Sequence, residues 1–258
     1  MYDLFHYALG GLSGALVGLV LGLVGGGGSI LAVPLMVYVA GVANPHVAIG
    51  TSALAVAVSS AANLALHARA HTVKWRCGMI YAGAGILGAF GGSSFGKSVN
   101  GHQLLFLFAL VMIVVGVLML KNRKAEGLAG AQCGRHNVAK VAGYGLGTGA
   151  FSGIFGIGGG FLIVPGLMAA TQMPVINAVG TSLVAVTAFG LTTALNYAAS
   201  GLVAWGIAAT FIAGGVIGGL AGTGLARRLS GKGALTSVFA SLIFVVATYM
   251  LYESWSSF

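Results

Sequence analysis

The chain has 258 residues, of which 58% are hydrophobic and only 6% charged, with a mean hydropathy of +1.00. A soluble domain carries about 25% charged residues, so a water-facing surface is excluded and the chain reads as an all-α polytopic membrane protein with the lipid bilayer around it. The formal charge of +9 comes from lysines and arginines scattered between apolar segments; no basic face with interleaved aromatics exists, which excludes nucleic acid as a partner.

Apolar segments fall at about 8–24, 29–43, 47–67, 77–96 and 103–120, then at 141–156, 160–171, 177–199, 203–225 and 234–252. Those near 20 residues long span a bilayer core of about 30 Å as single helices. Met1 to His6 lack the basic start of a signal peptide, so the first segment is expected to stay in the mature protein. The second segment of each half is shorter and carries Pro34 or Pro165, which predicts a half-span or re-entrant limb. The polar stretch from Lys121 to Lys140 divides the chain into a first repeat (1–120), a linker (121–140) and a second repeat (141–258). Cys77 heads an apolar segment and Cys133 lies in the linker, without CxxC spacing, so neither a metal nor a redox pair is indicated. A disulfide between them is not expected, because the linker is placed in a reducing cytoplasm.

The halves align at an offset close to 130 residues. Gly14, Gly18 and Gly22 match Gly145, Gly149 and Gly153; Pro34 matches Pro165; Gly50-Thr51-Ser52 matches Gly180-Thr181-Ser182; Val73 and Trp75 match Val203 and Trp205. This is an internal duplication. Lys and Arg set its orientation. Arg69, Lys74 and Arg76 follow the third segment of the first half, where the second half has none. Arg227, Arg228 and Lys232 follow the fourth segment of the second half, where the first has Lys97 alone. Inverted repeats put every Lys and Arg except Lys97 on the cytoplasmic side, with both termini outside. Each repeat is then three full spans plus a glycine-broken helical hairpin.

The duplicated glycine runs carry the functional reading. Gly25 to Ser29, with Gly26, Gly27 and Gly28 inside it, precedes Pro34; Gly156 to Gly160, with Gly158 and Gly159 inside it, precedes Pro165. Glycine is costly in a helix interior, and broken backbone at membrane depth is tolerated only where protein or a wet cavity surrounds it. Paired breaks in two halves point to a transporter's binding site. A helix restarting at Ser29 or Phe161 aims free N–H groups and a positive dipole end at the break, which is an anion site. The competing reading is close helix crossing. Thr51, Ser52, Thr181 and Ser182 are candidate donors to a bound oxyanion, against back-bonding to the preceding turn. Asn63 and Asn196 are weaker candidates, against interhelical hydrogen bonding. Glycines at fourfold spacing let helices approach closely and also offer a homodimer contact.

Absences narrow the class. The only acids are Asp3, Glu126 and Glu253, all outside the predicted spans. Cation pumps rely on intramembrane carboxylates, so a small anionic substrate fits better. No catalytic set appears in the spans, and no enzyme, cofactor or metal is expected. His67 and His71 stand at metal-ligand spacing, but without a carboxylate or cysteine beside them.

The glycine-run-to-proline elements, the Gly-Thr-Ser that follows each, and the two-half apolar layout together resemble the TauE/SafE family of sulfite exporters. The resemblance covers nearly the whole chain. It implies a secondary permease for sulfite or organosulfonates in the cytoplasmic (inner) membrane, with Gly25–Pro34 and Gly156–Pro165 near the translocation path. A passive anion channel and a non-transporting assembly or sensor subunit are the alternatives.

Overall fold

The computed structural model describes residues 3–121, 133–134, 136–157, 160–229 and 244–252. Every regular element among them is helical. The order is α1 (Leu4–Val24), a 3-10 helix (Gly25–Leu31), α2 (Ala32–Pro34), a π-helical turn (Leu35–Val39), α3 (Pro45–Arg69), α4 (Trp75–Ser98), α5 (Gly101–Lys121), α6 (Val138–Phe155), α7 (Gly160–Thr171), α8 (Val175–Ala198) and α9 (Trp205–Leu229). Residues 244–252 form a further helical stretch, while the start of the segment expected at 234 lies outside the described residues. Among the described residues, four helices are long and apolar enough to cross a membrane: α1 over Leu4–Leu23, α3, α8, and α9 over Trp205–Leu225. Large apolar side chains such as Leu12, Leu87, Phe90, Leu195 and Ile217 point outward, the exposure pattern of a surface solvated by lipid.

Local chemistry sets the helix ends. Asn44 caps α3 by accepting from the His46 and Val47 amides, and Pro45 fills the first helical position, where a missing N–H costs nothing. α6 stops at Phe155 because Gly156 takes the left-handed conformation at φ +66° and donates to the Ser152 carbonyl.

Glycine stripes dictate the packing. Gly14, Gly18 and Gly22 of α1 lie on the backbone of Phe211, Gly215 and Gly219 of α9, so these helices run side by side in the same direction. Gly145, Gly149 and Gly153 of α6 lie on Tyr81, Gly85 and Ala89 of α4 in the same way. A Cβ at any of these positions would collide with a main-chain carbonyl of the partner. Helices in lipid gain by such close backbone approach, since apolar burial drives little there. Each pair joins one half of the chain to the other.

The core between these pairs is α3 against α8. Ala53 and Ala57 meet Gly190, the α8–α9 turn at Leu202 meets Gly50, and the α3–α4 turn at Thr72 meets Gly180. α3 and α8 therefore run in opposite directions. α9 runs with α3, Gly215 and Gly219 meeting Ser59 and Asn63. α4 runs with α8, Gly78, Gly85 and Gly96 meeting Val184, Phe189 and Tyr197.

Two expectations are corrected. Cys77 and Cys133 form a disulfide, their Cα atoms 5.4 Å apart. The argument against it concerned the compartment; the fold lays the linker's end over the first turn of α4, within bonding range. Nor does a helix restart at Ser29: the first glycine run winds as a 3-10 helix through Leu31. Four consecutive glycines present no side chains to eclipse at i and i+3, which removes the main steric cost of that geometry.

Candidate functional site

The two glycine elements differ in kind. In the first, Gly26, Gly27, Gly28 and Ser29 lie in the 3-10 helix, and from Gly27 onward the segment is buried. A Cβ on Gly28 would lie within 2.9 Å of the Leu21 backbone, because the chain here reverses tightly onto α1. It returns alongside α1 until Gly41 meets His6. In the second, the helix is interrupted: α6 ends, Gly156 turns left-handed, and α7 begins at the buried Gly160. Gly158 and Gly159 lie outside the described residues. Pro165 sits inside α7, where it removes one backbone donor.

Gly156 packs on Ile49, and its carbonyl is 3.4 Å from the Ser52 hydroxyl. The first run follows Gly22, which packs on Gly219, which in turn packs on Asn63. Ser52 and Asn63 are separated by about 17 Å along α3 at 1.5 Å per residue. The two elements nevertheless pack on each other, the 3-10 helix of the first lying against α7 of the second.

The hydroxyl pairs are buried, and each has a partner. Thr51 donates to the Val47 carbonyl (2.6 Å) and accepts from the Ala204 amide (2.9 Å). Thr181 accepts from the Lys74 amide at the same 2.9 Å. Each threonine thus satisfies an N–H just ahead of a helix of the other half, α9 or α4. Ser52 and Ser182 donate to carbonyls three residues back, Ile49 at 3.0 Å and Val179 at 2.8 Å.

The asparagines take different roles. Asn196 Nδ2 donates to Ser93 and Ser94, and its Oδ1 accepts from Lys97, whose ammonium also reaches the Asn196 carbonyl and Ser200. This ties α8 to α4 with the one basic residue that the charge pattern set apart. Asn63 donates within its own helix, to the Ser59 carbonyl. His67 Nδ1 lies 3.0 Å from the Thr72 hydroxyl, while His71 sits in the following turn at φ +55°.

The sequence reading missed a Tyr81 cluster. The Tyr81 hydroxyl is hydrogen-bonded to Thr148 of α6 (2.9 Å) and lies 2.6 Å from where a Cβ on Gly166 of α7 would stand. Its signal was the glycine directly after Pro165. At the mouth of the α3–α4 turn, Val73, Lys74, Trp75 and Arg76 line a cavity of about 240 Å³ with the two bonded cysteines.

Residues 10–250 match the family model described as "Sulfite exporter TauE/SafE". A probable membrane transporter protein of Xylella fastidiosa (strain Temecula1) is 54% identical over 247 residues, 95% of each chain. The probable membrane transporter protein YunE of Bacillus subtilis is 26% identical, covering 93% of this chain and 95% of its own. No solved structure matches.

Proposed function

Because the chain belongs to the TauE/SafE family and is a membrane transporter, not an enzyme, we propose that it is a secondary permease for small sulfur oxyanions, sulfite or organosulfonates, working by alternating access in the cytoplasmic membrane. The observation that carries this reading is the buried start of α7 at Gly160, beside the left-handed Gly156 and the Ser52 hydroxyl. A helix start leaves its first N–H groups without helical acceptors. Among the described residues, Asp3 is the only carboxylate and lies ahead of α1. An anion there meets donors and no competing negative charge.

The repeats are read as inverted, which is supported by the opposite run of α3 and α8 and by the shared direction of α3 and α9. That shared direction brings Arg69 and the α9 end carrying Arg227 and Arg228 to one face, where the disulfide adds Cys133 of the linker to Lys74 and Arg76. This face is assigned to the cytoplasm by the positive-inside rule, with Lys97 and both termini opposite; Cys77 and Cys133 bring the linker to α4 there, bonded or, as a reducing compartment favours, as two thiols. The two glycine elements, packed on each other through the 3-10 helix and α7, line one path: Gly156–Gly160 with Ser52, and Gly26–Ser29 with Ser182. Thr51 and Thr181 hold the walls between halves.

The test is counterflow in proteoliposomes against sulfite, thiosulfate, sulfate, sulfonates and carboxylates. Saturable, trans-stimulated sulfite or sulfonate flux is expected, lost in Gly160→Val while the protein remains inserted. Linear flux without counterflow makes the chain a channel. No flux for any anion rejects the reading.

A further inference from the structure

Three polar side chains on one face of α3 bury oxygen atoms that no group among the described residues satisfies. Ser59, Ser60 and Asn63 are 1%, 0% and 1% exposed, and Ser59 Oγ, Ser60 Oγ and Asn63 Oδ1 have no hydrogen-bond partner among the described residues. Residues three and four apart on a helix are surface neighbours, so Asn63 stands next to both serines. Ser59 and Asn63 fill the space left by two glycines of α9. A Cβ on Gly219 would lie 2.6 Å from Asn63 Nδ2 and 2.8 Å from its Oδ1, and a Cβ on Gly215 would strike Ser59 Oγ. The Gly14 carbonyl of α1 lies 3.6 Å from that same point.

The Asn63 amide decides which ligand fits. Its Nδ2 donates to the Ser59 carbonyl at 3.0 Å, so turning the amide over would press two carbonyl oxygens together. The unsatisfied atom is therefore Oδ1, which can only accept. An anion needs donors, and the serine hydroxyls would have to supply all of them against an adjacent carbonyl dipole. A proton cannot rest on amide or hydroxyl oxygens near neutral pH. A divalent cation calls for carboxylates, and none lies within a span among the described residues. A monovalent cation with neutral oxygen ligands satisfies all three groups.

We propose that Ser59, Ser60 and Asn63 form a sodium site between α3 and α9. It lies about two to three turns of α3 from Ser52. If the anion path proposed above holds, a cation here offsets the substrate's charge within the low-dielectric bundle and is the coupling ion. The site itself stands on the unsatisfied oxygens and not on that reading.

The experiment is thermal unfolding of the purified full-length protein in detergent, without substrate, in sodium, potassium or N-methylglucamine chloride at constant ionic strength. Binding to the folded state raises Tm with ligand concentration in a saturable way. Tm is expected to climb with sodium, less with potassium, and not with N-methylglucamine. Ser59→Ala and Ser60→Ala should each move the half-saturating sodium concentration up about tenfold, the equivalent of 1.4 kcal/mol. Asn63→Leu should abolish the response. Asn63→Asp, which keeps the shape and adds a negative charge, should move the half-saturating concentration down, and it carries the test if Asn63→Leu does not fold. A melting curve indifferent to sodium in the unsubstituted protein overturns the proposal and leaves a buried water as the occupant. A sodium response unchanged in Asn63→Asp places the ion elsewhere and also overturns it. No flux for any anion with an intact sodium response refutes the permease reading alone.

Discussion

The Thr51 hydroxyl and the Ala204 amide are joined by a 2.9 Å hydrogen bond across 153 residues of chain, and Thr181 holds the Lys74 amide identically at the other end of α3. Each threonine follows a glycine that lets the opposing turn settle close: Gly50 under Leu202, Gly180 under Thr72. The Gly-Thr-Ser element is thus the joint through which one half of the chain receives the other.

Replacing either threonine by valine leaves a partly buried amide without an acceptor, at a cost of about 1–3 kcal/mol. Thr51→Val and Thr181→Val should each lower the thermal midpoint in detergent. Their effects should add in the double variant, because the two joints lie at opposite ends of α3 and share no partner. Serine at either position should restore most of the loss.

The glycine stripes predict a sharp contrast between positions. Gly18→Val and Gly149→Val drive a side chain into the carbonyls of Gly215 and Gly85, and the backbone cannot yield as a side chain would. Both variants should fail to give a monodisperse peak in size-exclusion chromatography. Gly91→Val and Gly147→Val meet nothing within 4 Å and should elute as the unsubstituted protein does.

The Cys77–Cys133 bond closes a loop of 56 residues. Its reduction should cost about 2–4 kcal/mol. A thiol-reactive polymer should add nothing to the denatured protein before reduction and two labels after it. Cys133→Ser should take one label without reductant. Two labels on unreduced protein would remove the bond from the structure.

Lys97 reaches Asn196 Oδ1 at 2.8 Å and Ser200 at 3.0 Å from the neighbouring helix. Lys97→Met should destabilise by about 1–3 kcal/mol, because the Asn196 amide oxygen loses its donor within the α4–α8 contact. Lys97→Arg, which keeps donors and charge, should lose less. Denaturation monitored by intrinsic fluorescence would rank the two.

Much of this protein is legible from composition and repetition alone. A chain so poor in charge must bury its backbone polar groups in helices, so the helical class and most helix bounds follow directly, α7 to the residue. The offset near 130 identifies matching positions, and the family resemblance rests on the same residues. What one strand of text does not contain is the identity of the partner across each contact. That α1 pairs with α9 and α6 with α4 depends on which glycine faces meet in space. The tertiary structure alone decided that the Thr51 and Thr181 hydroxyls serve incoming turns, that the first glycine run winds tightly where the second is interrupted, and that the linker's cysteine reaches α4. It also decided that Ser59 Oγ, Ser60 Oγ and Asn63 Oδ1 find no partner among the described residues. The physical reason is common to all of these: whether a polar group has a partner is a matter of distance between helices, and sequence spacing sets distances only within one.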